Sequence, residues 1–394
     1  MSEFQGGGRL TIDALKGITD IVEAMHLAVG TLGGLLGEPG QKHTKGISGM
    51  VYRSIRSVAD LAGLGMDALL EKLDAAMEEK DSSPEYEAVL AALNGLLGDH
   101  LAERKNPLAI PMKWRINGRS VTPVDEDFAE SLSLSHGKIV LMVHGLCMND
   151  LQWNRNGHGH GICLARDFNY LPFYLHYNTG RHISENGREL ADLLEAFIQQ
   201  ASRPVEMAVL AHSMGGLVFR SACHVGKQQN HTWLNSLEKI VFLGTPHHGA
   251  PLERGGNWID FLLDISPYSA PFSRLGKIRS SGITDLRYGN IMDEDWKGRD
   301  RFENSGDKRK FAPLPDNVSC YTIAATMARE KGRVGDDLVG DGLVPLNSAL
   351  GRHKNPALNL HFPESNQRVV RDMGHLDLLH HADVYEIIKN WLQS

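Results

Sequence analysis

Five apolar runs limit the folds open to this 394-residue chain more than any other feature. "KIVLMVHGL" (138–146), "LPFYLHYNT", "VEMAVLAHS", "KIVFLGT" and "VSCYTIAA" lack a regular polar alternation, which marks strands covered on both faces. Helical patterns lie between several of them, notably "SENGRELADLLEAFIQQA" and "GGLVFRSACHVGKQQ". Strands alternating with helices in this way predict an α/β domain built on a mainly parallel central sheet. Just ahead of it, "MKWRINGRSVT" sets an Asn-Gly pair between alternating residues, a hairpin signal.

The first hundred residues read differently. Leu15, Ile18, Val22, Met25 and Val29 recur at three- and four-residue steps, as do Val51, Ile55, Val58, Ala62, Met66, Leu69 and Leu73. Each series is one apolar stripe on a helix. A third stripe, Tyr86 to Leu101, follows a short polar segment in which Ser83 can cap the first turn and Pro84 suits the opening position. The pattern predicts a helical N-terminal module over 1–105 and an α/β domain over 106–394. Within the latter, 255–310 reads as an insertion between strands. Its first half, "NWIDFLLDISPYSAPFSRLG", is apolar and broken by prolines, whereas "MDEDWKGRDRFENSGDKRK" is a run of mixed charge read as solvated surface, Asp293, Glu294 and Asp295 included.

Composition excludes some partners. With 42% hydrophobic and 23% charged residues the chain is globular, and a net charge of -7 offers no basic face for nucleic acid. The start, "MSEFQGGGRLTID", lacks the basic and apolar regions of a secretory signal, and Cys147, Cys163, Cys223 and Cys320 form no CxxC pair. A cytoplasmic location with free thiols is expected. The most lipid-like stretch, "IVEAMHLAVGTLGGLLG", contains Glu23 and His26 and is too short for a spanning helix. Residues 1–105 hold 10 basic against 16 acidic residues, a net of -6 that opposes attraction to anionic lipid. The spacings Gly30/Gly34 and Gly33/Gly37 permit close helix packing, so peripheral membrane docking or self-association would fall to these N-terminal helices.

The chemistry gathers around "VLAHSMGGLV" (209–218), where an apolar run meets a pair of glycines. Ala-His-Ser-Met-Gly has the form small-x-Ser-x-small, and small residues there let a strand and the following helix pass close together while the serine adopts a strained backbone. The plain alternative for Ser213 is a helix cap. A nucleophilic serine needs a base and an orienting carboxylate, in the order Ser, Asp, His after later strands. "VGDGLVPLNSALG" supplies Asp341, with Asp336 and Asp337 as rivals, and "RVVRDMGHLDLL" supplies His375, with His380 and His381 as rivals. The oxyanion would need two N–H donors, and Leu146, after His144-Gly145, pairs with Met214 in that role. His158 and His160 in "GHGHG" lack a third ligand at metal spacing and read as exposed or rim histidines. No metal or cofactor is expected.

"LMVHGL", "AHSMGG", "GTPHHGAP", "DGLVP" and "GHLDLL", in this order, resemble the bacterial lipase and esterase branch of the α/β-hydrolases, including GPI inositol-deacylase-like proteins. The resemblance spans roughly 137–394 and implies an α/β-hydrolase fold, a triad of Ser213, Asp341 and His375, and oxyanion donors at Leu146 and Met214. Ala211, where glycine is commoner, and the helical N-terminus depart from it. The function implied is ester hydrolysis through an acyl-enzyme, on an acyl ester or lipid substrate. Trp258, Phe261 and Leu262 in the apolar insertion are the expected acyl-chain contacts, the insertion acting as a lid. Two alternatives stay open: an acyltransferase of the same fold, and a non-catalytic scaffold binding a membrane or partner.

Overall fold

The computed structural model describes residues 84–250, 280–300, 306–329 and 340–393. The expected stripes before Ser83, the insertion residues Trp258, Phe261 and Leu262, and Asp336 and Asp337 lie outside them.

Helix α1, Pro84–Glu103, opens on proline and leads into the hairpin β1, Lys113–Ile116, and β2, Arg119–Val121. The Asn-Gly pair turns it: Asn117 and Gly118 have φ of 50° and 76°, as a tight hairpin with two left-handed central residues requires. Helix α2, Glu126–Leu134, was not evident in the apolar pattern. The strands β3, Lys138–Val143, and β4, Leu171–His176, flank helix α3, His160–Phe168. Helix α4, Ile183–Gln200, leads to β5, Glu206–His212, and α5, Met214–Gln229, to β6, Leu237–Leu243. Helix α6, Ser281–Leu286, precedes β7, Ser319–Thr326, and β8, Gln367–Arg371, runs before the terminal helix α7, Ala382–Gln393.

The eight strands form one sheet in the order β2-β1-β4-β3-β5-β6-β7-β8. From β4 to β8 every pairing is parallel, while β1 is antiparallel to both neighbours. The apolar runs become buried strands because helices cover both faces: Ile139 to Val143 and Met207 to Ala211 are closed to solvent. On one face Trp114, Phe128, Phe173 and Phe197 interlock, with Trp114 and Phe173 at 4.5 Å between ring centroids. Because β3, β5, β6, β7 and β8 run the same way, the segments that follow them emerge at one edge, where an α/β sheet carries its site. Among the described residues no helix is long and apolar enough to cross a membrane.

Helix α1 belongs to the core of this sheet, with Ala92, Leu96 and Leu101 in the same apolar cluster as the strands. It is tied in by buried polar contacts. Asn94 donates to Leu108 O at 2.8 Å and accepts from Ile110 N at 3.0 Å. Glu87 takes both ends of the Arg115 guanidinium at 2.9 and 3.0 Å, and Arg115 also donates to Asp150 at 3.0 Å. His176 Nδ1 lies 3.3 Å from the same Asp150 oxygen. Burial opposes ionisation of Asp150, yet His176 and the Arg115 charge outweigh it and hold its carboxyl below the usual range. This network joins α1, β1, β4 and the turn after β3.

Such a network need not add net stability, but removing its cation leaves two carboxylates buried. Arg115→Met is therefore expected to lower the unfolding free energy by about 3–5 kcal/mol. A urea midpoint unchanged by this substitution would show the carboxylates to be solvated.

Candidate active site

Ser213 stands between the last residue of β5 and the first of α5 with φ 54° and ψ -126°. A left-handed φ on a non-glycine residue is strained, and it lifts the serine out of both elements. The neighbours show why small residues flank it. A Cβ on Gly215 would lie 2.4 Å from Val143 O and 2.5 Å from His144 O, so α5 can cross the end of β3 only with glycine there. A Cβ on Gly216 would meet Thr245 Oγ1 at 2.0 Å. Ala211 fills its place between Val143 and Phe242 without exposure, so the sheet accepts alanine at this position.

The Asp341–His375 pair forms at the same edge. His375 Nδ1 lies 2.7 Å from Asp341 Oδ2, and His375 N donates to Asp341 O at 3.1 Å. Asp341 Oδ1 is fixed by the N–H groups of Leu343, at 3.0 Å, and Val344, at 2.8 Å. The carboxylate is thus held by its own turn and presents one oxygen to the imidazole. Ser213 N donates to Leu243 O at 2.9 Å, and a Cβ on the next residue, Gly244, would sit 3.2 Å from both Asp341 Oδ2 and His375 Cε1. One residue just past the end of β6 therefore separates the serine's backbone from the pair. "GTPHHGAP" supplies that spacer through Gly244, whose φ is 57°.

On the other side of the serine, a Cβ on Gly145 would lie 3.0 Å from Ser213 Cβ. The turn at Gly145 thus passes close against Ser213. Met214 N–H is one of the four that a helix start leaves without an intrahelical partner. The turn is braced from below. Tyr177 Oη donates to His144 O at 2.8 Å, Cys147 N donates to Thr179 Oγ1 at 3.1 Å, and a Cβ on Gly95 of α1 would strike Cys147 Sγ at 2.1 Å.

Two histidines that the sequence did not single out as supports complete the site. His212 Nε2 lies 3.2 Å from His375 O, and the two rings are 4.6 Å apart. His160, read from sequence as an exposed or rim residue, is fully buried, with Nε2 2.9 Å from Leu378 O and the ring stacked on Tyr385. It braces the turn that carries His375. The signal available was a histidine ending an apolar strand run and another between two glycines. Among the described residues no group of three His, Cys, Asp or Glu side chains is placed to hold a metal ion. Asp295, read as part of a solvated run, is buried and accepts from Ile291 N and Met292 N at 3.1 Å each.

Strand order, edge loops and a strained serine on the strand-to-helix turn decide the architecture. The fold is that of the α/β-hydrolases. The sequence matches the family described as "Domain of unknown function (DUF7379)" over residues 109–270. No curated protein matches it. Among solved structures the chain is similar to the lipase BlEst2 of Bacillus licheniformis in mature form, at 18% identity over 65% of this chain and 92% of that one, with a TM-score of 0.42. It is also similar to a thermophilic esterase from Thermogutta terrifontis, at 16% identity over 73% and 94% of the two chains and a TM-score of 0.37. A lipase-esterase related protein from Clostridium acetobutylicum aligns at 15% identity over 71% and 98%, with a TM-score of 0.35.

The buried histidines give the site a pH dependence. Burial pushes His144 and His160 down to about 3, against an ordinary 6.5. An unfolded chain therefore binds protons at these positions below 6.5 that the folded chain refuses, so the stability present above 6.5 is lost as pH falls toward 3. Each contributes a slope of about 1.4 kcal/mol per pH unit in that window. His160→Gln, whose amide can still donate to Leu378 O, is expected to flatten the stability slope between pH 6 and 5 by about that amount. An unaltered slope in urea titrations would mean that His160 is protonated in the native state.

Proposed function

We propose that the chain is a serine carboxylic-ester hydrolase of the lipase and esterase branch, GPI inositol-deacylase-like in its motifs, acting through an acyl-enzyme. The observation that carries this reading is the strained Ser213 on its turn, separated from the hydrogen-bonded Asp341–His375 pair by Gly244, the residue that follows β6. In this reading Ser213 Oγ attacks the ester carbonyl carbon and its proton passes to His375 Nε2. Asp341 keeps the other ring nitrogen protonated and stabilises the imidazolium. The carbonyl oxygen, now an oxyanion, accepts from the N–H groups of Leu146 and Met214. Collapse of the tetrahedral intermediate breaks the bond to the alcohol, which leaves with the proton held by His375. Water, deprotonated by His375, then releases the carboxylic acid and restores the serine.

Ser213→Ala is expected to lower kcat on p-nitrophenyl esters by about 10⁴-fold or more, and His375→Ala by a similar factor, because such residues act as a unit. Asp341→Asn is expected to cost less. Fluorophosphonate labelling of the folded protein at a serine other than Ser213 would overturn the assignment. Added alcohols that divert most of the acyl group from water would instead favour the acyltransferase reading.

For the acyl chain we propose Trp258, Phe261 and Leu262, on the strength of their apolar character in a segment that follows β6. Phe261→Ser with Leu262→Ser is expected to reduce kcat/KM at least tenfold for long-chain esters and little for acetate. Equal losses across chain lengths would remove these residues from specificity.

A further inference from the structure

Away from Ser213, a cavity of about 20 Å³ lies between α5, the turn after β6 and the stretches 289–295 and 309–312, lined among others by Arg220, His247, Asp295, Arg309 and Lys310. Arg220 is 6% exposed. Its Nη2 donates to Ala312 O at 2.7 Å, but its Nε is buried without an acceptor among the described residues. Burial and the neighbouring Arg309 charge lower its pKa to about 10, still far above neutrality, so the guanidinium is charged.

Among the described residues the nearby carboxylates make their hydrogen bonds to other groups, and the Asp295 charge only partly offsets that of Arg220. Asp295 spends Oδ1 on Lys310 N at 3.1 Å and Oδ2 on the N–H groups of Ile291 and Met292. Asp307 grips Arg309 through both oxygens, at 3.0 and 2.8 Å. His247 is closed to solvent, and neither ring nitrogen has a partner among the described residues. Burial, then the Arg220 charge, keep that ring neutral, so it has one N–H to give. A buried cation and a buried N–H donor thus share one small space. Buried charges are ordinarily paired, and a guanidinium with free donors favours an anionic acceptor.

We propose that this cavity binds one small monoanion, a halide or a carboxylate group, between the Arg220 guanidinium and the His247 ring. The volume suits one such group, since a single water needs only about 10–15 Å³. Arg220 lies seven residues beyond Ser213 on α5, about two helical turns. A bound anion would tie this helix to the turn after β6 and to the 306–312 segment. It would act as a structural ligand of the helix that begins at the serine, whatever reaction the serine performs.

The test titrates chloride, and separately acetate, into the purified full-length protein at constant ionic strength, with a bulky sulfonate as the balancing anion. Thermal unfolding is expected to shift upward with either ion, by about 2 °C at ten times the dissociation constant, and to go on rising with the logarithm of its concentration. A response to chloride alone assigns a halide site, and a response to acetate alone assigns a carboxylate site. A midpoint indifferent to both overturns the proposal without any variant. Arg220→Gln is expected to weaken the response at least tenfold, and an undiminished response in that variant also overturns it. Should the variant fail to fold, bromide diffraction from the wild-type protein decides: anomalous density between Arg220 and His247 supports the site, and bromide bound only elsewhere refutes it.

Discussion

The close approach of α5 to the end of β3 is the constraint on which the site's edge depends. Gly215 lets the helix axis cross Val143 and His144 at a distance no side chain permits, and Ser213 absorbs the sharp change of direction in its φ of 54°. With the helix drawn in that far, the Gly145-Leu146 turn lies against Ser213, a Cβ on Gly145 falling 3.0 Å from the serine's own. Were α5 displaced outward by a Cβ, the turn from β3 and the start of α5 would separate. The strain at one residue is sustained by strands and helices whose burial fixes both ends of it.

The remainder of the site is held by contacts that restrain backbone, while the side chains proposed for chemistry stand at the edge of the sheet. Tyr177 and Thr179 hold the turn after β3 through a carbonyl and an N–H, and His212 and His160 hold carbonyls in the segment around His375. Buried imidazoles suit such posts because a neutral ring can donate from one nitrogen without carrying charge into the core. That economy has a consequence in acid, since between pH 6.5 and about 3 the unfolded chain binds protons at His144 and His160 that the folded chain does not. Helix α1 takes part at longer range: its Gly95 leaves room for Cys147, and its Glu87 anchors the Arg115–Asp150 pair below the same turn.

Much of this was legible in the sequence for one reason, that the strands are buried on both faces. Five continuous apolar runs became β3 to β7, and the Asn-Gly pair became the β1–β2 turn, because each of these signals is local. The turn at Ser213 was legible too, since glycine spacing and the apolar-to-helical change sit within ten residues. Less legible were residues whose partners are distant in the chain. The carboxylate of Asp295 lies in a run of charges that looks solvated, yet three N–H groups from 291, 292 and 310 converge on it. His160 sits among glycines that suggest an exposed loop, and only the return of the chain at Leu378 and Tyr385 encloses it.

The sequence by itself determined the layered α/β architecture, the order of serine, aspartate and histidine, and the turn on which the serine stands, because hydrophobic period and glycine placement act over short separations. The tertiary structure alone decided which aspartate oxygen meets His375, which glycine makes room for that pair, and which polar side chains are enclosed. Those outcomes depend on strands brought together from more than a hundred residues apart, as Ser213 and Asp341 are. Charge and polarity read along the chain carry no record of what will cover them, and burial is what turns an ordinary aspartate, arginine or histidine into a support, a structural charge or a ligand site.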